Sequence, residues 1–152
     1  MIRVIATGTF DILHPGHLFY LEQSKKLGDE LTVIVARDAN VKHKPRPIIP
    51  EEQRRKMVAT LCCVDRAILG DPADMFRPIE EIRPDIITIG FNQHFDEEKL
   101  RQALAARNLS PRIVRIGKYG DDELCSSRLV VQRIVEQRGP HDETRNKDPG
   151  TD

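Results

Sequence analysis

The sequence predicts an α/β fold: one open, Rossmann-like parallel sheet of about five strands, with helices on both of its faces. The first observation is that short apolar runs alternate with segments of helical periodicity up to about residue 137. The second is that the run at residues 31–36 is apolar almost throughout, which is typical of a strand covered on both faces. At 152 residues the chain has room for one domain, which we assign to residues 1–137.

The elements follow one another in a regular order. Apolar runs predict strands at residues 2–7, 31–36, 66–69, 85–89 and 112–116. Helical spacing predicts helices at residues 16–27, 51–61, 75–82, 96–107 and 126–137. Because strands and helices alternate, right-handed crossovers bring the carboxyl ends of the strands to one rim, where sheets of this kind bind ligands.

Local signals support the first and last helices. Gly28 is a good stop for the first helix. That helix is expected to turn three leucines toward one face, namely Leu18, Leu21 and Leu27. The last helix carries an apolar stripe of Leu129, Val130, Ile134 and Val135. Residues 138–152 are rich in Pro, Gly and charge without an apolar period, so they predict a disordered tail.

Composition limits the function classes. The 24 Lys and Arg residues balance the 24 Asp and Glu residues, so the basic surface of a nucleic-acid-binding protein is not expected. No apolar stretch reaches the roughly 18 residues of a membrane span, and the N-terminus lacks the layout of a signal peptide. Cys62, Cys63 and Cys125 have neither disulfide nor zinc spacing, which favours a reduced, cytoplasmic compartment. Because Cys125 lies beside a predicted helix start, redox sensitivity is a hypothesis.

The segment from Gly8 to His17, GTFDILHPGH, carries the most chemistry. It lies where the first strand turns into the first helix, and open α/β sheets bind phosphate at such a turn. Pro15 suits the first helical position, and Gly16 would let a ligand approach the backbone. His14 and His17, three residues apart, lie on one side of the first turn. Backbone N–H groups and two imidazoles therefore predict a site for an anionic phosphorus centre.

This segment resembles the signature of the nucleotidyltransferase superfamily built around His-x-Gly-His, which includes cytidylyltransferases, pantetheine-phosphate adenylyltransferases and FAD synthases. Further segments that carry the resemblance are residues 35–38, 48–55, 68–70, 90–93 and 124–127. Over residues 1–137 the chain is most similar to the small archaeal FAD synthases (FMN adenylyltransferases). The resemblance implies transfer of AMP from ATP to FMN, which gives FAD and pyrophosphate. It also implies a homodimer, and a divalent cation (magnesium or similar) that arrives on ATP.

The resemblance assigns roles to individual residues. His14 and His17 would bind the triphosphate and stabilise the transition state at the α-phosphorus, with Lys44 as a third catalytic group. The implied nucleotide-binding set is Thr9, Phe10, His14, Pro15, Gly16, His17, Asn92, Tyr119, Ser126 and Ser127. Lys42 and Arg54 are candidate phosphate contacts. The attacking phosphate is already an anion, so donors and cations are needed rather than a general base.

Several of these positions have a second interpretation. Asp11 either pins the turn or approaches a metal, and no dedicated metal site is expected. One of the two serines at the start of the last helix would cap that helix while the other holds the β- or γ-phosphate. Arg54 would otherwise pair with Glu51 or Glu52. The two lysines would otherwise be solvated loop residues.

The acceptor and the nucleobase are assigned from the position of the chain within the superfamily. Glycerol-phosphate cytidylyltransferases carry Arg-Thr-Glu-Gly-Ile-Ser-Thr-Thr before the last helix, whereas residues 118–127 here read KYGDDELCSS. This departure favours ATP and FMN over CTP and glycerol 3-phosphate, which remains the alternative; a nucleotide-sensing module without turnover is a minor alternative. Related sequences often carry Asp where this chain has Asn92. The chain has no Trp, so the isoalloxazine ring would contact Phe91, Phe95, Tyr119 or aliphatic side chains.

Overall fold

A computed structural model describes residues 1–42, 45–120 and 123–139. Its centre is a five-stranded sheet in which every neighbouring pair of strands is parallel. The strands are β1 (Arg3–Gly8), β2 (Glu30–Val35), β3 (Arg66–Leu69), β4 (Ile86–Ile89) and β5 (Arg112–Arg115). Their order across the sheet is β3-β2-β1-β4-β5. The predicted fold class is therefore confirmed.

Five α-helices connect and follow these strands. They are α1 (Pro15–Lys25), α2 (Glu51–Ala59), α3 (Arg77–Ile82), α4 (Glu97–Ala105) and α5 (Ser127–Arg138). A short 3-10 turn at Asp38–Asn40 follows β2. Every predicted strand and helix is present, with ends within two residues of those predicted. None of the helices in the described part of the chain is both long and apolar enough to cross a bilayer.

The sheet is covered on both faces, because alternate side chains of a strand point to opposite sides. On one face, Val4 and Ala6 of β1 pack with Leu21 of α1 and Val58 of α2. On the other face, Ile5 packs with the inward side chains of α3 and α4, which are Ile79, Leu100 and Leu104. This arrangement explains why the strands have few polar residues.

The strands β1 and β4 separate at their carboxyl ends. The β1–β2 pairing continues to Gly8, but the β1–β4 pairing ends at Ala6 and Thr88. The hydroxyl of Tyr20 lies in the gap, where it accepts a bond from the backbone N–H of Thr7 (3.2 Å) and donates to the carbonyl of Thr88 (2.9 Å). Burial raises the pKa of Tyr20 to about 12, so this hydroxyl stays neutral. Strand order reverses about β1, and such a switch point is where open α/β sheets bind ligands.

The predicted apolar faces of α1 and α5 are only partly covered. In α1 the inward residues are Tyr20, Leu21 and Ser24, which leaves Leu18 on the flank of the helix and 38% exposed. In α5 no residue is buried, and Ile134 and Val135 of the predicted stripe are 50% and 61% exposed. The other two residues of that stripe, Leu129 and Val130, are half-buried. Arg138, predicted to start the tail, closes α5, and residues 140–152 lie outside the described residues.

Candidate active site

The turn between β1 and α1 is held in an unusual backbone conformation. Phe10 has φ of +54°, in the left-handed region that non-glycine residues rarely adopt. Its ring is buried and covers Gly8, where an added Cβ would lie 2.8 Å from ring atoms. Glycine is therefore required at position 8 by the close approach of the ring. A strained residue of this kind persists only where its surroundings fix it, and such residues cluster at functional sites.

The two histidines of the motif come together at the start of α1. The imidazole rings of His14 and His17 stack, with 3.7 Å between centroids and 28° between planes. His14 caps the helix, because its Nδ1 accepts a bond from the backbone N–H of Gly16 at 3.1 Å. With Nδ1 as the acceptor, the neutral ring carries its proton on Nε2 and can donate it to a ligand. Burial lowers the pKa of His14, which favours this neutral form.

Pro15 and Gly16 are the next two residues of the motif. Pro15 occupies the first turn of α1 as expected. The predicted approach of a ligand to the backbone of Gly16 stays a prediction. An added Cβ there would lie 2.9 Å from the carbonyl oxygen of Cys125 and 2.9 Å from the ring of His14. The chain itself fills the space over Gly16, so glycine is needed for internal packing.

Arg54 is not directed at a phosphate, contrary to the prediction. Its side chain is fully buried, and its one salt bridge to a described residue is to Asp38, at 2.6 Å. The guanidinium also donates to three backbone carbonyls, those of Thr9 (2.6 Å), Ala36 (2.9 Å) and Ile49 (2.8 Å). A phosphate contact would require Arg54 to give up these partners. The alternative pairing with Glu51 or Glu52 is also wrong for this residue, although the neighbouring Arg55 does pair with Glu52.

Arg54 instead orients the turn between β1 and α1. The carbonyl of Thr9 and the N–H of Phe10 belong to one planar trans peptide, so they point in opposite directions. Because Arg54 holds that carbonyl, the N–H of Phe10 is aimed away from the guanidinium. Arg54 therefore stabilises the strained conformation of Phe10 from the side opposite to its N–H group.

Asp11 pins the turn, which was the first of its two interpretations. Its two carboxylate oxygens accept bonds from the backbone N–H groups of Ile48 (3.0 Å) and Ile49 (2.9 Å). Both oxygens therefore have protein partners, and the carboxylate links the turn to the segment before α2. Across residues 1–42, 45–120 and 123–139, no group of three or more His, Cys, Asp or Glu side chains is arranged to hold a metal ion.

Comparisons with known proteins agree with this geometry. The family model described as cytidylyltransferase-like matches residues 5–133. The chain belongs to the cytidylyltransferase-like family. It is 72% identical to an FAD synthase of Methanosphaerula palustris, over 92% of each chain. It is 70% identical to an FAD synthase of Methanoregula boonei, over 93% of this chain and 95% of that protein. A crystal structure of a lipopolysaccharide core biosynthesis protein from Thermoplasma volcanium superposes with a TM-score of 0.77 at 50% identity, covering 79% and 99% of the two chains.

In this cytidylyltransferase-like chain both serines at the start of α5 bond to the protein. Ser126 caps the helix by accepting a bond from the backbone N–H of Leu129 at 3.2 Å. The hydroxyl of Ser127 donates to the carbonyl of Ile12 (3.2 Å) and accepts from the N–H of the same residue (3.4 Å). Capping by one serine agrees with the expectation. A phosphate contact from the other stays a prediction, because its hydroxyl here fastens α5 to the turn.

The remaining predicted residues lie around the same rim or outside the described chain. Asn92 is exposed in the loop after β4. The ring of Tyr119 packs against that of Phe19 on α1, with centroids 5.3 Å apart. Lys42 is exposed, and Lys44 lies outside the described residues. Nucleotide contacts by these four side chains therefore stay predictions.

Two residues of the site were missed from the sequence. The amide of Gln93 accepts from the N–H of Gly90 (2.8 Å) and donates to the carbonyl of Thr7 (3.0 Å), so it bridges the separated ends of β1 and β4. Its signal was present, since an amide four residues beyond the end of a strand can reach backbone groups on the rim. The second is Tyr20, described above. Periodicity does not distinguish a tyrosine whose hydroxyl bonds to strand ends from an ordinary aromatic residue of the core.

Proposed function

We propose that this chain is an FAD synthase, which transfers AMP from ATP to FMN and releases pyrophosphate. The observation that carries the proposal is the high identity, 72% and 70%, to archaeal proteins named FAD synthase along more than nine-tenths of the chain. The stacked histidines at the start of α1 supply the matching chemistry, because two imidazoles and helix N–H groups suit a triphosphate.

The proposed reaction needs positioned donors more than a base. A phosphate oxygen of FMN attacks the α-phosphorus of ATP, the bond from that phosphorus to the bridging oxygen breaks, and pyrophosphate leaves. His14 donates from Nε2, and His17 beside it donates to the same phosphate region. The N–H groups of Thr9 and Phe10 and the amino end of α1 stabilise the negative charge. The rate gain comes from fixed orientation and charge stabilisation in the transition state.

Finer assignments belong to the same proposal. The substrate is ATP with a divalent cation such as magnesium, which enters with the nucleotide because triphosphate oxygens are its usual ligands in such sites. Both carboxylate oxygens of Asp11 have backbone partners, which supports an ion held by the nucleotide. Lys42 and Lys44 would contact phosphates, and Asn92, Tyr119, Ser126 and Ser127 would line the nucleotide site. We also propose a homodimer that works in the cytoplasm, with residues 1–137 as the catalytic domain.

Product analysis tests the reaction. The purified chain is incubated with magnesium and each of four pairs, ATP or CTP with FMN or glycerol 3-phosphate, and products are identified by mass spectrometry. FAD and pyrophosphate are expected only from ATP with FMN. Turnover of CTP with glycerol 3-phosphate, but not of ATP with FMN, would establish the alternative cytidylyltransferase activity. ATP binding without pyrophosphate release from any pair would indicate a nucleotide-sensing module.

A further inference from the structure

An exposed aromatic ring stands at the gap between β1 and β4. Phe91 follows Gly90, directly beyond the carboxyl end of β4, and is 49% exposed. The gap beside it opens at the switch point of the sheet, where the triphosphate turn also lies. The ring of Phe91 is not part of the buried core, and the proposed reaction assigns it no role.

The loop that carries Phe91 is held in place without help from its ring. The guanidinium of Arg115 donates to the carbonyls of Gly90 (3.0 Å), Gln93 (3.0 Å) and Phe95 (3.1 Å), and pairs with Glu97 at 2.9 Å. The amide of Gln93 adds its two bonds to the backbone of the gap. The loop is therefore preorganised, and Phe91 is presented by a rigid support.

The other aromatic side chains all have contacts within the protein. The chain has five Phe, two Tyr and no Trp, and all seven rings belong to described residues. The six others are Phe10 and Tyr20, which are buried; Phe19 and Tyr119, which pack on each other; Phe76, which lies under Arg107; and Phe95, which packs on the core. Of the three aromatic residues that the sequence offered for a flavin ring, Phe91 is exposed, whereas Phe95 and Tyr119 are half-buried.

We propose that Phe91 is the surface on which the isoalloxazine ring of FMN stacks. This inference rests on the proposed FAD synthase function. The isoalloxazine ring system is wide and flat, and its dimethylbenzene end has no hydrogen-bonding group, so it is recognised through its faces. Aromatic side chains stack on such faces. Adenine, by contrast, offers ring nitrogens and an amino group that an amide such as Asn92 can recognise at the edge.

Steady-state kinetics on variants at this position test the inference. Phe91→Ala and Phe91→Leu should raise the KM for FMN roughly tenfold or more, while the KM for ATP stays unchanged. Phe91→Tyr should keep the wild-type KM for FMN, because it keeps the ring. The leucine variant separates stacking from general apolar contact. Ile134→Ala is the matched control, since Ile134 is 50% exposed on α5 and should leave both KM values unchanged.

A second measurement follows the flavin directly. Tyrosine or tryptophan in contact with a flavin quenches its emission, so FMN bound to Phe91→Tyr or Phe91→Trp should fluoresce less than FMN bound to the wild type. A rise in the KM for ATP alone would overturn the inference and assign the ring to adenine. Unchanged KM values for both substrates in Phe91→Ala would also overturn it. If the wild-type chain makes no FAD at all, the proposed function fails, which is a separate result.

Discussion

The turn between β1 and α1 and the helix α5 meet at the candidate active site, but they are built in opposite ways. The turn is fixed from three sides, by buried Arg54, by the carboxylate of Asp11 and by the hydroxyl of Ser127. The 12-residue α5 has no buried residue. Stabilising contacts are therefore concentrated on the turn, to which the proposed function assigns the triphosphate, and α5 is fastened at its start.

This difference follows from what each region has to do. Donors that stabilise transition-state charge are effective only when their direction is fixed before the reaction, because reorientation would cost free energy. The turn contains a strained Phe10 and therefore needs support from outside its own sequence. A helix start needs only a cap and its own N–H groups to attract an anion, and Ser126 supplies the cap.

Replacing Arg54, which stabilises the turn between β1 and α1, should have the largest effect. Arg54→Met leaves three backbone carbonyls and the partly exposed Asp38 without their donor, so the free energy of unfolding should fall by about 3–5 kcal/mol. Urea unfolding followed by circular dichroism measures it. Arg55→Met is the matched control, because Arg55 is the next residue and its salt bridge to Glu52 is at the surface. Equal losses in the two variants would contradict the supporting role of Arg54.

Replacing either imidazole should affect catalysis more than stability. His14→Asn and His17→Asn should each lower the rate of FAD formation by roughly 10²- to 10³-fold, as expected for loss of one transition-state donor. Asparagine at position 14 can still cap α1, so the fold should persist. His94→Asn, at an exposed histidine of the loop after β4, is the control and should keep full activity. Wild-type turnover in both motif variants would exclude the proposed mechanism.

The sequence predicted the fold and the position of the site because both depend on patterns of near neighbours. Apolar runs and helical spacing identified every strand and helix, and the glycine–histidine segment marked the turn. The direction of an individual side chain depends on residues that are distant in sequence. Arg54 points to Thr9 rather than to a ligand because the carbonyls of Thr9 and Ala36 lie within its reach only after the sheet has formed.

The incomplete coverage of the predicted faces of α1 and α5 has the same origin. Periodicity shows that a helix has an apolar side, but it does not show what covers that side. Leu18 lies on the flank of α1 because Tyr20, Leu21 and Ser24 face the sheet. At Gly16 the carbonyl of Cys125, more than a hundred residues away, lies where a side chain would project. Contacts of this range depend on the tertiary arrangement.

The dependence of stability on pH tests the surroundings of His14, and the expected change in the free energy of unfolding is smaller. Because burial lowers the pKa of His14 below its ordinary value of 6.5, the unfolded chain binds a proton first as the pH falls. Neutral His14 therefore contributes to the free energy of unfolding. This contribution is fully present above pH 6.5 and is lost as the pH falls toward the pKa of His14 in the folded state. Urea unfolding at several pH values should show a steeper acid-side loss for the wild type than for His14→Asn. An NMR titration of His14 with its midpoint at or above 6.5 would contradict the prediction.

The exposed face of α5 should tolerate change best. Ile134→Ser replaces a half-exposed side chain and should alter the free energy of unfolding by no more than about 0.5 kcal/mol. Val58→Ala in α2, at a fully buried position, should cost about 2 kcal/mol and provides the contrast. Both values come from urea unfolding at two protein concentrations. A large loss for Ile134→Ser that grows on dilution would mean that a second copy of the chain covers this face. The contrast between the turn and α5 would then apply to the protomer but not to the assembly.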